Sequence, residues 1–160
     1  MTSLGLALLR LTLAVVLVSH GAHDLFGSFA GPGVGPGGIA ATARYFDSVG
    51  LSPGLPLAAL AGATELIGGV LVGLGWLTRW AAAALIGTLG ISLWKDHLRW
   101  GFFLNWVADN TRGHGIEYSV LLIGALTCLV FTGAGVWSID GRREQSAASR
   151  AAGRARLRNR

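Results

Sequence analysis

Glu65 is the residue of this sequence best placed to do chemistry, a carboxylate near the centre of an apolar stretch. Carrying an ionisable side chain to mid-membrane costs about 2.5–3.5 kcal/mol on insertion scales, so such a group turns toward a partner or a bundle interior. At 100° per residue, Ala58, Gly62, Glu65, Gly69 and Gly73 fall within an arc of about 80°, and Leu60, Ile67, Leu71 and Leu74 lie opposite. Small residues admit close approach of helix backbones. The Glu65 stripe is therefore expected to pack inward and the leucine face to meet lipid. Two roles stay open for Glu65: a buried strut paired with an arginine, or a carboxyl that exchanges protons with a ligand.

Arg10 is the natural charge partner, since its long side chain could rise toward Glu65 or snorkel to the interface. Further along the same apolar run come His20, His23 and Asp24, at spacings that place them on one side of a helix. They could supply metal ligands, but two histidines and one aspartate on a single turn, with no second motif, are a weak metal signal. They read either as an interfacial cap or as part of a ligand pocket. The four histidines show no same-depth pairing of the kind a bis-histidine haem needs. Lys95, Asp96 and His97 are consecutive and fan around a helix end, which suits contact with water. Glu117 opens a later apolar run, where a carboxylate complements the helix dipole. His20, Asp24, His97 and Glu117 are expected at one end of the molecule with Glu65 deeper, a polar funnel of the kind a small-molecule or quinone site needs.

The elements that hold these residues follow from composition. Of 160 residues, 52% are hydrophobic and only 13% charged, where a soluble domain runs near a quarter charged. Four apolar stretches of about twenty residues account for the difference, each long enough for a ~30 Å hydrocarbon core. A water-soluble globule, a disordered chain and a disulfide scaffold are excluded. The single cysteine, Cys128, excludes dithiol chemistry within the chain and reads as a small buried residue.

The expected architecture is all-α: an integral membrane four-helix bundle over residues 1–140. Its spans are expected at about 4–26, 55–77, 80–97 and 117–136. The first reads as a span rather than a cleaved leader, despite Ser28-Phe29-Ala30, because no positive charge precedes its apolar run. Residues 31–38, rich in Gly and Pro, read as a turn-rich loop. Ile39, Ala43, Phe46 and Val49 then recur at helical spacing, with Thr42, Arg44, Asp47 and Ser48 elsewhere on the turn. That pattern predicts a short amphipathic helix on the membrane surface between the first two spans. Trp100, Phe102, Phe103 and Trp106 are placed as an interfacial belt would place them.

Charge is distributed unevenly. Residues 1–140 carry six Lys/Arg against seven Asp/Glu, whereas residues 141–160 hold seven Arg against Glu144. A basic tail beside a membrane helix fixes topology and meets anionic headgroups, and no motif or aromatic context supports nucleic acid as its partner. The expectation is a multi-pass cell-membrane protein with N- and C-termini cytoplasmic, and Arg79 on the same side.

The ordered motifs resemble the DoxX family of bacterial four-helix membrane proteins. They are Arg10, His20-Gly21 and Phe26-Gly27, then Ala61-Gly62-Ala63-Thr64-Glu65-Leu66-Ile67-Gly68-Gly69 and Leu77-Thr78-Arg79. Gly101-Phe102-Phe103, Glu117-Tyr118 and Gly135-Val136-Trp137-Ser138-Ile139-Asp140 complete the set. Where the family commonly has Lys two residues before Phe-Gly, this chain has Asp24, a charge reversal in the candidate pocket. The resemblance implies a cell-membrane helical bundle linked to redox metabolism, through relatives described as quinone-reducing subunits or partners of oxidative-stress enzymes.

The leading expectation is a component of a membrane redox system that binds a quinone or a similar small lipophile. It would have no covalent cofactor and no redox centre of its own, so any oxidoreductase activity would need a redox partner protein. His20, Asp24, Glu65 and Glu117 are the candidate ligand-binding residues, and Arg10 is the structural charge partner. A non-catalytic scaffold that docks a partner enzyme through the tail is the alternative. A small transporter is a weaker one, because four helices without a repeat do not suit alternating access in a monomer. A homo-oligomer would need a seam such as Gly69-x-x-x-Gly73, and that stripe cannot serve both the seam and the bundle interior.

Overall fold

The computed structural model describes residues 2–29, 37–109 and 111–158. Most of the Gly/Pro-rich stretch 31–38, and Ala30 of the Ser28-Phe29-Ala30 site, lie outside them. Six α-helices are present, with no strand among the described residues: α1 (Thr2–Phe26), α2 (Ile39–Ser48), α3 (Gly54–Leu74), α4 (Thr78–Ser92), α5 (Glu117–Thr132) and α6 (Ile139–Arg158). Ser3–Phe26 and Gly54–Leu74 are long and apolar enough to cross a membrane, whereas Glu117–Thr132 is apolar but shorter. The apolar segment expected to run to 136 stops at Thr132 because Gly133 and Gly135 both take positive φ, which breaks the helical path. Beyond Ser92, α4 widens into a π-helical turn, Leu93–His97, and tightens into a 3-10 turn, Leu98–Trp100.

Helix α3 packs against α1, α2 and α4, and α4 packs in turn against α5. A continuous core runs through the set, with Leu13 and Leu17 from α1, Val72 from α3, Ala82, Leu85 and Leu89 from α4, and Leu122, Leu126 and Leu129 from α5. Contact between α1 and α3 depends on the small-residue stripe. Ala58, Gly62 and Gly69 are buried, while Leu60, Ile67 and Leu74 are exposed on the opposite face.

The two helices run antiparallel, with Gly62 against Asp24 and Leu25, Gly69 against Leu17 and Val18, and Gly73 against Ala14. At Gly21 the backbones meet: a methyl there would overlap the Leu66 backbone nitrogen and stand 2.7 Å from the Gly62 carbonyl oxygen. The stripe thus faces α1 of the same chain, and Gly69-x-x-x-Gly73 is not free to form an oligomer seam.

Helix α2 forms where the periodicity predicts a helix, with one shift of face. Thr42, assigned to the polar side, is buried together with Ala43. The reason lies in the end of α1, whose last carbonyls lack helical donors. Thr42 Oγ1 donates to the Asp24 carbonyl at 3.1 Å and to the Gly38 carbonyl at 3.2 Å. Asp47 then holds the start of α3, accepting from the Gly54 N–H at 2.9 Å and the Ser52 hydroxyl at 2.7 Å.

The α3–α4 turn is held from far along the chain. Gly75 closes α3 in the left-handed region at φ 68. Leu77 follows at φ 50, where a residue with a side chain is strained. Asp140 satisfies the exposed amides, accepting from the Leu77 N–H at 3.1 Å and from the Thr78 N–H and hydroxyl at 3.0 Å each. Its own N–H donates to the Gly75 carbonyl at 2.9 Å. The Arg-rich segment, expected as a tail, is thereby anchored to the α3–α4 turn and continues as helix α6.

Candidate functional site

Glu65 lies near the middle of α3, about 16 Å from its start and about 14 Å from its end. Its Oε2 atom is buried and has no hydrogen-bond partner. A carboxyl oxygen removed from water is costly unless a proton or a donor meets it. The neighbours come from α1 and α5. Asp24, on α1, is close enough for its charge to act on Glu65, and His20, one turn earlier, is within charge range of Asp24. From α5, Tyr118 also feels Glu65, and its ring stands 6.2 Å from the His20 ring at a tilt of 31°.

Glu65, Asp24, His20 and Tyr118 therefore converge from three helices. The cluster grades from exposed His20 through half-buried Asp24 and Tyr118 to the orphaned oxygen of Glu65. Such an arrangement offers a ligand a carboxyl oxygen at depth, with titratable side chains graded from it toward the surface. Tyr118 emerges only from the fold. In the sequence its signal is adjacency to Glu117, and nothing local shows that it faces α1.

Glu117 has other work. Its Oε2 accepts from the Leu104 N–H at 3.1 Å, and its backbone N–H donates to the Phe102 carbonyl at 2.9 Å. It ties the 101–116 loop to the start of α5. No hydrogen bond joins it to His20, Asp24 or Glu65. His97 is likewise occupied at the loop, with Nδ1 3.0 Å from the His114 carbonyl. The funnel expected from His97 and Glu117 is a loop-anchoring set. His23 also serves a turn, its Nδ1 lying 3.0 Å from the Ser28 carbonyl while its own carbonyl accepts from Gly27 and Gly38. Among the described residues, no three His, Cys, Asp or Glu side chains lie close enough together to hold a metal ion.

The expected pairing of Arg10 with Glu65 is not what the structure shows. Arg10 is only 2% exposed, and its guanidinium reaches the opposite end of α3. Nη1 donates to the Gly73 carbonyl at 3.1 Å, with Val72 at 3.5 Å, and Nη2 donates to the Trp137 carbonyl at 2.7 Å. The physical reason is register: α1 and α3 are antiparallel, so Arg10 lies beside the end of α3, where helix-terminal carbonyls lack partners. Gly75 is needed there, because a side chain would collide with the Arg10 guanidinium and with Ser138. The carboxylate that acts on Arg10 is Asp140. Arg10 is a structural charge, and its role is to join α1, α3 and the start of α6.

The DoxX family model matches residues 5–97, which is more than half of the chain, and the chain belongs to the DoxX family. The match takes in Arg10, His20, Asp24 and Glu65 but ends before Glu117, Tyr118 and the Gly135–Asp140 motif. No match was found among curated proteins or among solved structures. Family membership, together with two helices long and apolar enough to cross a bilayer, points to a membrane protein.

Proposed function

We propose that this chain is a four-helix integral protein of the cell membrane that binds a quinone, or a lipophile of similar headgroup chemistry, as part of a membrane redox assembly. Helices α1, α3, α4 and α5 are the four spans, α2 lies in the interface, and both termini are cytoplasmic with α6 on that side. The observation that carries the reading is the buried, unpartnered Oε2 of Glu65 beside Asp24, His20 and Tyr118. A headgroup that presents a hydroxyl or a carbonyl finds an acceptor in Glu65 and donors in His20 and Tyr118. The exposed side of His20 gives entry from the acyl-chain region.

A quinone supplies the electron chemistry when bound, and a redox partner protein or the substrate supplies the electrons. The chain's own residues position the headgroup and hold protons. Glu65 accepts the headgroup hydrogen bond at depth, and Asp24 and His20 extend the proton path toward the end of α1. Asp24, which stands where the family commonly has lysine, gives this pocket two carboxyls and no ammonium. Glu117 is left outside the ligand set, since its carboxylate holds the 101–116 loop.

The test is quinone content after purification in mild detergent, for wild type, Glu65→Gln and His20→Ala. The expected outcome is near-stoichiometric quinone in wild type and loss of most of it in both variants, each still folded by circular dichroism. Quinone retained by both folded variants would refute the assignment of the pocket.

A further inference from the structure

Helix α6 presents a second feature that the pocket does not use. At 100° per residue, Arg142, Arg143, Arg150 and Arg154 fall within an arc of about 120° that also carries Ile139 and Leu157. Ala148, Ala151, Ala152 and Glu144 take the opposite side. Every described side chain from Arg142 onward is exposed, and Arg142, Arg143 and Arg150 form an open face of α6 with Ile139, Ser146 and Ala147.

This face is held at a defined level. Asp140 fixes the first turn of α6 to the α3–α4 turn, and the Arg143 guanidinium lies over the Trp76 ring, 5.7 Å from its centroid. Trp76, Trp80 and Trp137 are all exposed at this end of the molecule, which is the pattern of an aromatic belt at the headgroup level. The arginines begin where that belt ends.

We propose that the arginine face of α6 is a binding site for anionic phospholipid headgroups of the chain's own membrane. The inference rests on the membrane reading given above, and not on the quinone pocket. Guanidinium groups hold phosphate by paired N–H donors. Ile139 and Leu157 supply apolar contact along the acyl boundary, and the alanine side faces the aqueous phase.

The experiment uses the full chain reconstituted in nanodiscs made from equal amounts of phosphatidylglycerol and phosphatidylcholine, with retained lipid counted by native mass spectrometry. Nanodiscs offer the same lipid on both faces, so a change of topology cannot mimic a change of affinity. Each basic residue near an anionic surface contributes about fivefold to binding. Wild type should retain phosphatidylglycerol preferentially, and R142Q/R143Q/R150Q should weaken that preference by about a hundredfold. R150Q/R154Q alters two exposed side chains clear of the anchored first turn, and should lower the preference by more than tenfold with an unchanged melting temperature. The preference should fall with rising salt.

Equal retention of both lipids by wild type, or a preference unaltered in the glutamine variants, overturns the headgroup site alone. Recovery of the wild-type chain in the soluble fraction after alkaline carbonate extraction of membranes overturns this proposal and the membrane reading together.

Discussion

Replacing Arg10 with methionine tests where the buried charge in α1 does its work. The guanidinium makes two firm bonds, to the Gly73 carbonyl at 3.1 Å and the Trp137 carbonyl at 2.7 Å. The Val72 carbonyl is not orphaned by the change, since it also accepts from the Gly75 N–H at 3.1 Å. Hydrogen bonds from a charged donor contribute about 1.5–3 kcal/mol each, and methionine fills most of the vacated volume. The lower end of that range for both bonds gives a loss of about 3 kcal/mol. Lysine keeps the charge at the end of α3 but cannot fork between the two carbonyls, so Arg10→Lys should lose about half as much.

The distinguishing measurement is a double-mutant cycle with Glu65→Gln, followed by reversible unfolding in mixed micelles with tryptophan fluorescence as the readout. Glu65 and Gly73 are eight residues apart on α3, or about 12 Å. The two substitutions should therefore add to within about 0.3–0.5 kcal/mol. A coupling of 2 kcal/mol or more would show that Arg10 and Glu65 form a pair, and would refute the register described here. A loss below about 1 kcal/mol in Arg10→Met would refute the clamp.

Three further outcomes follow from the same geometry. Gly21→Ala places a methyl against the Leu66 and Gly62 backbone, so α1 and α3 must part and the chain should lose about 2 kcal/mol or more by micelle unfolding. Asp140→Ala removes the acceptors from Leu77 and Thr78. It should cost about 2 kcal/mol, seen as faster amide exchange across the first turn of α4. Asp109 accepts from the Thr111 N–H at 2.8 Å and the Thr111 hydroxyl at 2.7 Å, and these bonds hold its carboxyl below the usual value of 3.8. Its folded value is the lower one, so its contribution is full above that usual value and is lost as pH falls through the folded one. The protection factor of the Thr111 amide, taken against the intrinsic exchange rate at each pH, should stay constant from pH 7 to pH 5, fall only below pH 3.8, and lose that acid dependence in Asp109→Asn.

Much of the helical framework is legible in the chain itself, because lipid and backbone geometry leave few choices. Apolar runs of about twenty residues cannot hide their peptide groups except as helices, and the periodicity of Ala58, Gly62, Gly69 and Gly73 requires one face of α3 to meet another backbone. The boundaries of α1, α2 and α3 follow from the same patterns to within a few residues. The helical state of 139–158 is less evident, since its arginines read first as a charge run. The end of α5 at Thr132 depends on glycines that an apolar count passes over.

The partners of the polar residues were beyond the reach of sequence spacing. Arg10 and Glu65 look complementary as types, yet the antiparallel register of α1 and α3 sets them at different depths and gives Arg10 the carbonyls at the end of α3. Glu117 and His97 were expected to complete the funnel, but the backbone of the 101–116 loop takes both side chains. Tyr118 enters the cluster because α5 turns it toward His20, and Asp140 caps a helix that begins 62 residues earlier. A sequence determines which residues must leave lipid and which faces must be small, since those are properties of one helix against its solvent. Which polar group meets which is decided by the relative register and rotation of separate helices, quantities that exist only once the chain has packed.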